Sequence, residues 1–133
     1  MSQDAQSMAF GTRAAALISL VDDDESFRTS TSRLLRVMGF IVQSFSSAED
    51  FLSSPCVHET ACLILDVQMP GTSGPELQTW TIEMGLKIPV IFVTANPEQR
   101  NRILETERSA VDVLLKPFSE EALLRAVKTA LTL

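Results

Sequence analysis

The chain has 133 residues, a formal net charge of −6 and a pI of about 4.7. At 45% hydrophobic and 21% charged residues it reads as one globular domain with a core of ordinary size, not a disordered segment. Its acidity argues against nucleic-acid binding through a basic face, because such binding rests on neutralising phosphates, and no apolar run approaches a membrane span.

Residues 1–15 read as a flexible polar tail without the charged-then-apolar order of a signal peptide. Residues 16–133 then alternate strand and helix. Leu17 to Val21 is a short apolar run, the first strand, and it ends in Asp22-Asp23-Asp24-Glu25. A helix from about Ser26 to Met38 turns Phe27, Leu34, Leu35 and Met38 to one side, and Gly39 suits its end. Phe40 to Ser44 is the second strand. Ser46-Ser47-Ala48-Glu49 reads as a capping box for a short helix that Pro55 ends.

Cys62 to Leu65 has apolar residues at consecutive positions, the pattern of a strand buried on both faces, and Asp66 closes it. Turn formers follow from Met69 to Gly74, and Pro75 opens a third helix reaching about Met84. Its tryptophan, Trp80, is assigned to packing or surface. Ile88 to Val93 is the fourth strand, ending at Thr94. A strongly polar helix spans about Pro97 to Glu107, with Ile103 and Leu104 as its main apolar anchors. Val111 to Leu115 is the fifth strand, followed by Lys116-Pro117-Phe118. Ser119 caps a last helix from Glu120 to about Leu131, with Ala122, Leu123, Ala126, Val127 and Ala130 inward. Strand–helix repeated five times predicts an α/β fold, a doubly wound parallel sheet with right-handed crossovers. The pattern leaves no residues for a second domain. Cys56 and Cys62 do not make a disulfide framework at this length and suit a reducing, cytoplasmic setting.

The polar residues fall where the strands end. Asp22 and Asp23 follow strand one, Asp66 ends strand three, Thr94 strand four and Lys116 strand five. All carboxyl ends of a parallel sheet lie on one edge, where open α/β sheets place their ligand crevices. Taken singly, Thr94 could be a cap neighbour and Lys116 a solvated loop residue. Their coincidence is informative, since the chain has only three lysines, Lys87, Lys116 and Lys128. Three carboxylates in one pocket repel each other and need a cation, and all-oxygen ligation suits Mg²⁺. One aspartate is then free to accept a phosphoryl group, with Lys116, Thr94 and backbone N–H groups around its oxygens. No strong base is placed to activate water. His58 precedes strand three, at the opposite sheet edge.

These residues resemble the receiver domain of bacterial two-component response regulators, a CheY-like family, over about Leu17 to Leu131. The resemblance rests on Val21-Asp22-Asp23-Asp24, on Leu65-Asp66-Val67-Gln68-Met69-Pro70-Gly71, on Val93-Thr94-Ala95 and on Lys116-Pro117-Phe118. The wording from Met69 to Gln78 and from Ala110 to Phe118 is most similar to FixJ-type receivers. The resemblance implies a flavodoxin-like sheet of order 2-1-3-4-5. It implies Asp66 as acceptor of a phosphoryl group from a sensor histidine kinase or phosphotransfer protein. Mg²⁺, or Mn²⁺ in its place, would be held by Asp23, Asp66 and the Gln68 backbone carbonyl, with Asp22 acting mainly through water. Thr94 and Lys116 would contact the phosphoryl oxygens, with Ala95 beside Thr94. A cis Lys116-Pro117 bond is common in the family, and so is a homodimer through helix four, strand five and helix five. An output domain beyond Leu133 is left open.

One position departs from the family. Receivers usually carry Tyr or Phe three residues before the lysine, and here that residue is Val113, in a chain without tyrosine. Valine is stiff at χ1 and small, so a weak or differently wired conformational readout is expected. Two other readings stand beside the signalling switch. An interaction module indifferent to phosphorylation is kept alive by Val113. A phosphatase of the haloacid-dehalogenase type wants a second Asp two residues after the nucleophile, where this chain has Gln68.

Overall fold

The computed structural model describes residues 16–107 and 109–132. The tail expected over residues 1–15 lies outside them. Five strands form one parallel sheet: β1 (Leu17–Val21), β2 (Ile41–Phe45), β3 (Cys62–Asp66), β4 (Val90–Thr94) and β5 (Asp112–Leu115). Five α-helices alternate with them: α1 (Glu25–Val37), α2 (Ala48–Leu52), α3 (Gly74–Glu83), α4 (Pro97–Thr106) and α5 (Glu120–Thr132). The order is β2-β1-β3-β4-β5, the flavodoxin-like, doubly wound arrangement expected from the sequence.

The sheet divides the core in two. On one face Ile18, Leu20, Ile64, Ile91 and Val93 pack with Leu35 of α1 and Leu123, Ala126 and Val127 of α5. On the other, Leu63, Leu65, Phe92 and Val113 pack with Phe51 of α2, Leu77 of α3 and Ile103 of α4. Alternate residues of one strand thus serve opposite faces, which is why β3 and β4 are buried at every position. Gly39 takes a φ of +102° where α1 turns into β2, a left-handed conformation that glycine adopts without steric cost.

Several local expectations are corrected. Ser46 to Glu49 forms no capping box. Ser47 caps α2 alone, accepting from the Asp50 N–H at 3.1 Å, while the Glu49 carboxylate takes the Thr72 hydroxyl at 2.6 Å. The reciprocal box lies at α3, between Ser73 and Glu76. Pro55 ends α2 as expected but opens a 3₁₀ turn, Pro55–His58. Leu104 does not anchor α4. It is 47% exposed, and Ile103 is the helix's one buried residue. Both cysteines are free thiols. Cys62 is fully buried in β3, and that burial pushes its pKa up to about 12.

Candidate functional site

All five strands end at one edge, where Asp22, Asp23, Asp66, Gln68, Thr94, Ala95 and Lys116 line one cleft and Val113 does not. Asp22, one residue beyond β1, has no exposed surface. Its two side-chain oxygens are both engaged. Oδ1 accepts the Asp24 N–H at 2.9 Å, and Oδ2 accepts the Lys116 ammonium at 2.7 Å. The Arg28 guanidinium donates to its backbone carbonyl at 2.7 Å. Lys116 reaches across from the end of β5 with its Nζ 4.0 Å from the Phe27 ring centre, a cation–π contact, and Phe27 itself stands edge-on to Phe118. The Lys116-Pro117 bond is cis.

Asp66, 8% exposed, shares the cleft with these groups and with the exposed Asp23. Asp22, Asp23 and Asp66 each offer a carboxylate oxygen, and the three oxygens lie within 4.8 Å of one another. Burial pushes the Asp66 carboxyl up to about 7, and the Asp22 charge adds to the effect. Lys116 opposes it, Asp23 reinforces it, and the Gln68 backbone N–H opposes it weakly. Three acids against one ammonium, with that ammonium already on Asp22, leave a surplus of negative charge. An all-oxygen donor set with such a surplus fits a hard divalent cation such as Mg²⁺ or Mn²⁺.

The backbone that carries Asp66 is held tightly. A Cβ on Gly74, the first residue of α3, would lie 2.4 Å from the Asp66 carbonyl oxygen, so only glycine allows this approach. The Gly74 N–H donates to the Val67 carbonyl at 3.2 Å. The Thr72–Glu49 contact ties the intervening loop to α2, and that hydroxyl holds the Glu49 carboxyl below its usual range.

On the other side Thr94 ends β4, 2% exposed. Its hydroxyl donates to the Gln99 side-chain oxygen at 2.7 Å and accepts the Asn96 N–H at 3.1 Å. Gln68, Ala95 and Asn96 complete the rim of the cleft. Val113 lies outside it, buried among the residues packed under α4, and its carbonyl accepts from Arg100 Nε at 3.0 Å. Sequence reasoning missed Gln99, Gly74 and the Glu49–Thr72 pair. The turn-rich wording around Gly74 hinted at a tight approach. Gln99 gave no signal beyond being one of many polar residues on α4.

The fold and this acidic, lysine-bearing cleft define a class of α/β signalling domain, and comparison with known proteins gives it a family. The sequence model of the response regulator receiver domain matches residues 18–128. Nodulation protein W of Bradyrhizobium diazoefficiens is 39% identical over 115 residues, covering 86% of this chain and 51% of that protein. Response regulator protein TodT of Pseudomonas putida is 40% identical over 119 residues, covering 90% and 52%. The crystal structure of FixJ-N superposes with a TM-score of 0.76 at 32% identity, covering 87% of this chain and 93% of that one. The chain belongs to the response regulator receiver family, whose members pair with histidine kinases and bind Mg²⁺ in an acidic pocket. It spans about half the length of the curated relatives it matches. Among the described residues, no helix is long and apolar enough to cross a membrane.

Proposed function

We propose that Asp66 is the phosphoryl acceptor of a receiver domain spanning residues 16–133, acting in the cytoplasm as a signalling switch and not as a turnover enzyme. The observation that carries this reading is the meeting of three carboxylates within 4.8 Å, one ammonium and one buried hydroxyl at a single sheet edge. A sensor histidine kinase or phosphotransfer protein is the donor. An Asp66 oxygen attacks the phosphorus, the P–N bond of phosphohistidine breaks, and the departing imidazole takes up a proton.

Asp23, Asp66 and the Gln68 backbone carbonyl would hold Mg²⁺ or Mn²⁺, with Asp22 alongside. When bound, that ion supplies positive charge against the oxygens of the transferring group. Lys116 exchanges its Asp22 oxygen for a phosphoryl oxygen, and the Thr94 hydroxyl and the Ala95 N–H serve the others. The cleft offers no strong base for water, so hydrolysis of the acyl phosphate is slow. Pairing of two copies through α4, β5 and α5 belongs to the same reading.

Intact-mass spectrometry after incubation with acetyl phosphate and Mg²⁺ tests it. One added phosphoryl group is expected, absent with chelator and absent in Asp66→Asn. No adduct on folded wild-type protein would favour the phosphorylation-independent interaction module that Val113 suggests.

A further inference from the structure

We propose that Gln99 reads the phosphorylation state of Asp66, as a positioning residue that couples the Thr94 hydroxyl to α4. The inference rests on the acceptor reading above and adds the path by which the signal leaves the cleft. Thr94 is buried, and its one hydroxyl proton goes to Gln99 Oε1 at 2.7 Å. A hydroxyl donates a single hydrogen bond, so it serves either Gln99 or a phosphoryl oxygen. The two states are therefore mutually exclusive.

What Gln99 holds is a weakly seated helix. Ile103 is the one buried residue of α4. Beyond its cap, the helix is tied to the strands by two polar contacts from adjacent residues, Gln99 to Thr94 and Arg100 to the Val113 carbonyl. Gln99 also stands between the acceptor cleft and a groove lined by Val67, Pro75, Arg102 and Ile103. Val113 is fully buried as a branched aliphatic residue and has no hydroxyl or ring to swing. In this chain the amide of Gln99 takes the relay role. When Thr94 turns to the phosphoryl group, Gln99 loses its donor, and beside buried Ile103 the first turns of α4 keep as polar ties the Asn96 cap and Arg100.

Coupling between two sites is reciprocal, so the Thr94–Gln99 bond also opposes occupation of the acceptor site. Removing it should tighten binding of the phosphoryl mimic BeF₃⁻ by about two- to tenfold, the range for one net hydrogen bond. The experiment measures BeF₃⁻ affinity with Mg²⁺ present, and amide exchange over residues 98–103, in the full chain. In wild type, BeF₃⁻ should raise exchange in α4. Gln99→Leu should show raised exchange without BeF₃⁻ and little further change with it. Gln99→Glu keeps an acceptor and should keep α4 protected. The effects of Gln99→Leu and Thr94→Val should be non-additive without BeF₃⁻, because each breaks the same bond, a result that general loosening of the helix would not give. A wild-type-like α4 response in Gln99→Leu, or additive effects, overturns the role of Gln99. Acetyl phosphate labelling of the same samples separates the two levels. An adduct on Asp66 with no Gln99 coupling refutes only this inference, whereas no adduct on any variant refutes the acceptor reading and this one with it.

Discussion

A carboxyl held near neutrality inside an acidic cleft makes folding stability depend on pH. Asp66 is raised from 3.8 to about 7, so between those values the folded chain binds a proton that the unfolded chain has released. Without divalent cation, the contribution of Asp66 to stability should therefore be greatest below pH 4, fall as pH rises towards 7, and level off above. Asp66→Asn should remove that slope. At pH 8 with chelator it should be more stable than wild type by on the order of 1–2 kcal/mol, after discounting for solvent reaching the open cleft. Denaturant titrations of both proteins at several pH values check this, and parallel curves would refute it. The neighbouring glycine makes a second prediction. Gly74→Ala sets a Cβ against the Asp66 carbonyl, and backbone cannot give way as a side chain can. The variant should lose at least about 2 kcal/mol, within the usual cost of overpacking. It should also label slowly with acetyl phosphate, because the displaced atoms carry the acceptor.

Among the elements, α4 should open first. One buried side chain and a polar remainder give it little to lose, so its amides should exchange faster than those of α1 or α5 in the native state. Ile103→Ala removes that one anchor. Its effect on global denaturation should stay below about 2 kcal/mol, the low end for such truncations, since α4 can detach before the sheet unfolds. What could be read in advance follows the range of the interaction. β3 is legible because five consecutive buried residues leave a signature in the chain itself. The ends of α4 and α5 are legible because Asn96-Pro97 and Ser119 are local stop and start chemistry. The cap of α2 is misread for the opposite reason: Glu49 bonds to Thr72, 23 residues on. Leu104 is misread because helical spacing admits either Ile103 or Leu104 to the core, and the fold buries Ile103. Lys116 and Asp22 are 94 residues apart, and their meeting was legible only through the rule that parallel strands share one edge. The Gln99 contact obeys no such rule.

The molecule as a whole carries a net charge of −6, and its folding gathers part of that charge into one cleft. A cation that binds only the gathered form stabilises the fold by mass action, by about 2.7 kcal/mol at a hundred times its Kd. Mg²⁺ should therefore raise the Tm of the wild type. NaCl at matched ionic strength should not reproduce the shift, because screening acts on dispersed charge and not on a site. Asp66→Asn should blunt the response. Equal shifts from the two salts would argue that the acids act only as a general field.

The two cysteines turn this protein into its own folding clock. Cys62 opens β3, the central strand, fully buried and with its thiol pushed up to about 12, whereas Cys56 sits half-exposed in the 3₁₀ turn before it. A maleimide should therefore modify one site at once and the second only as fast as the sheet comes apart. That second rate, followed with and without Mg²⁺ or BeF₃⁻, times how often the whole domain lets go, with no residue changed.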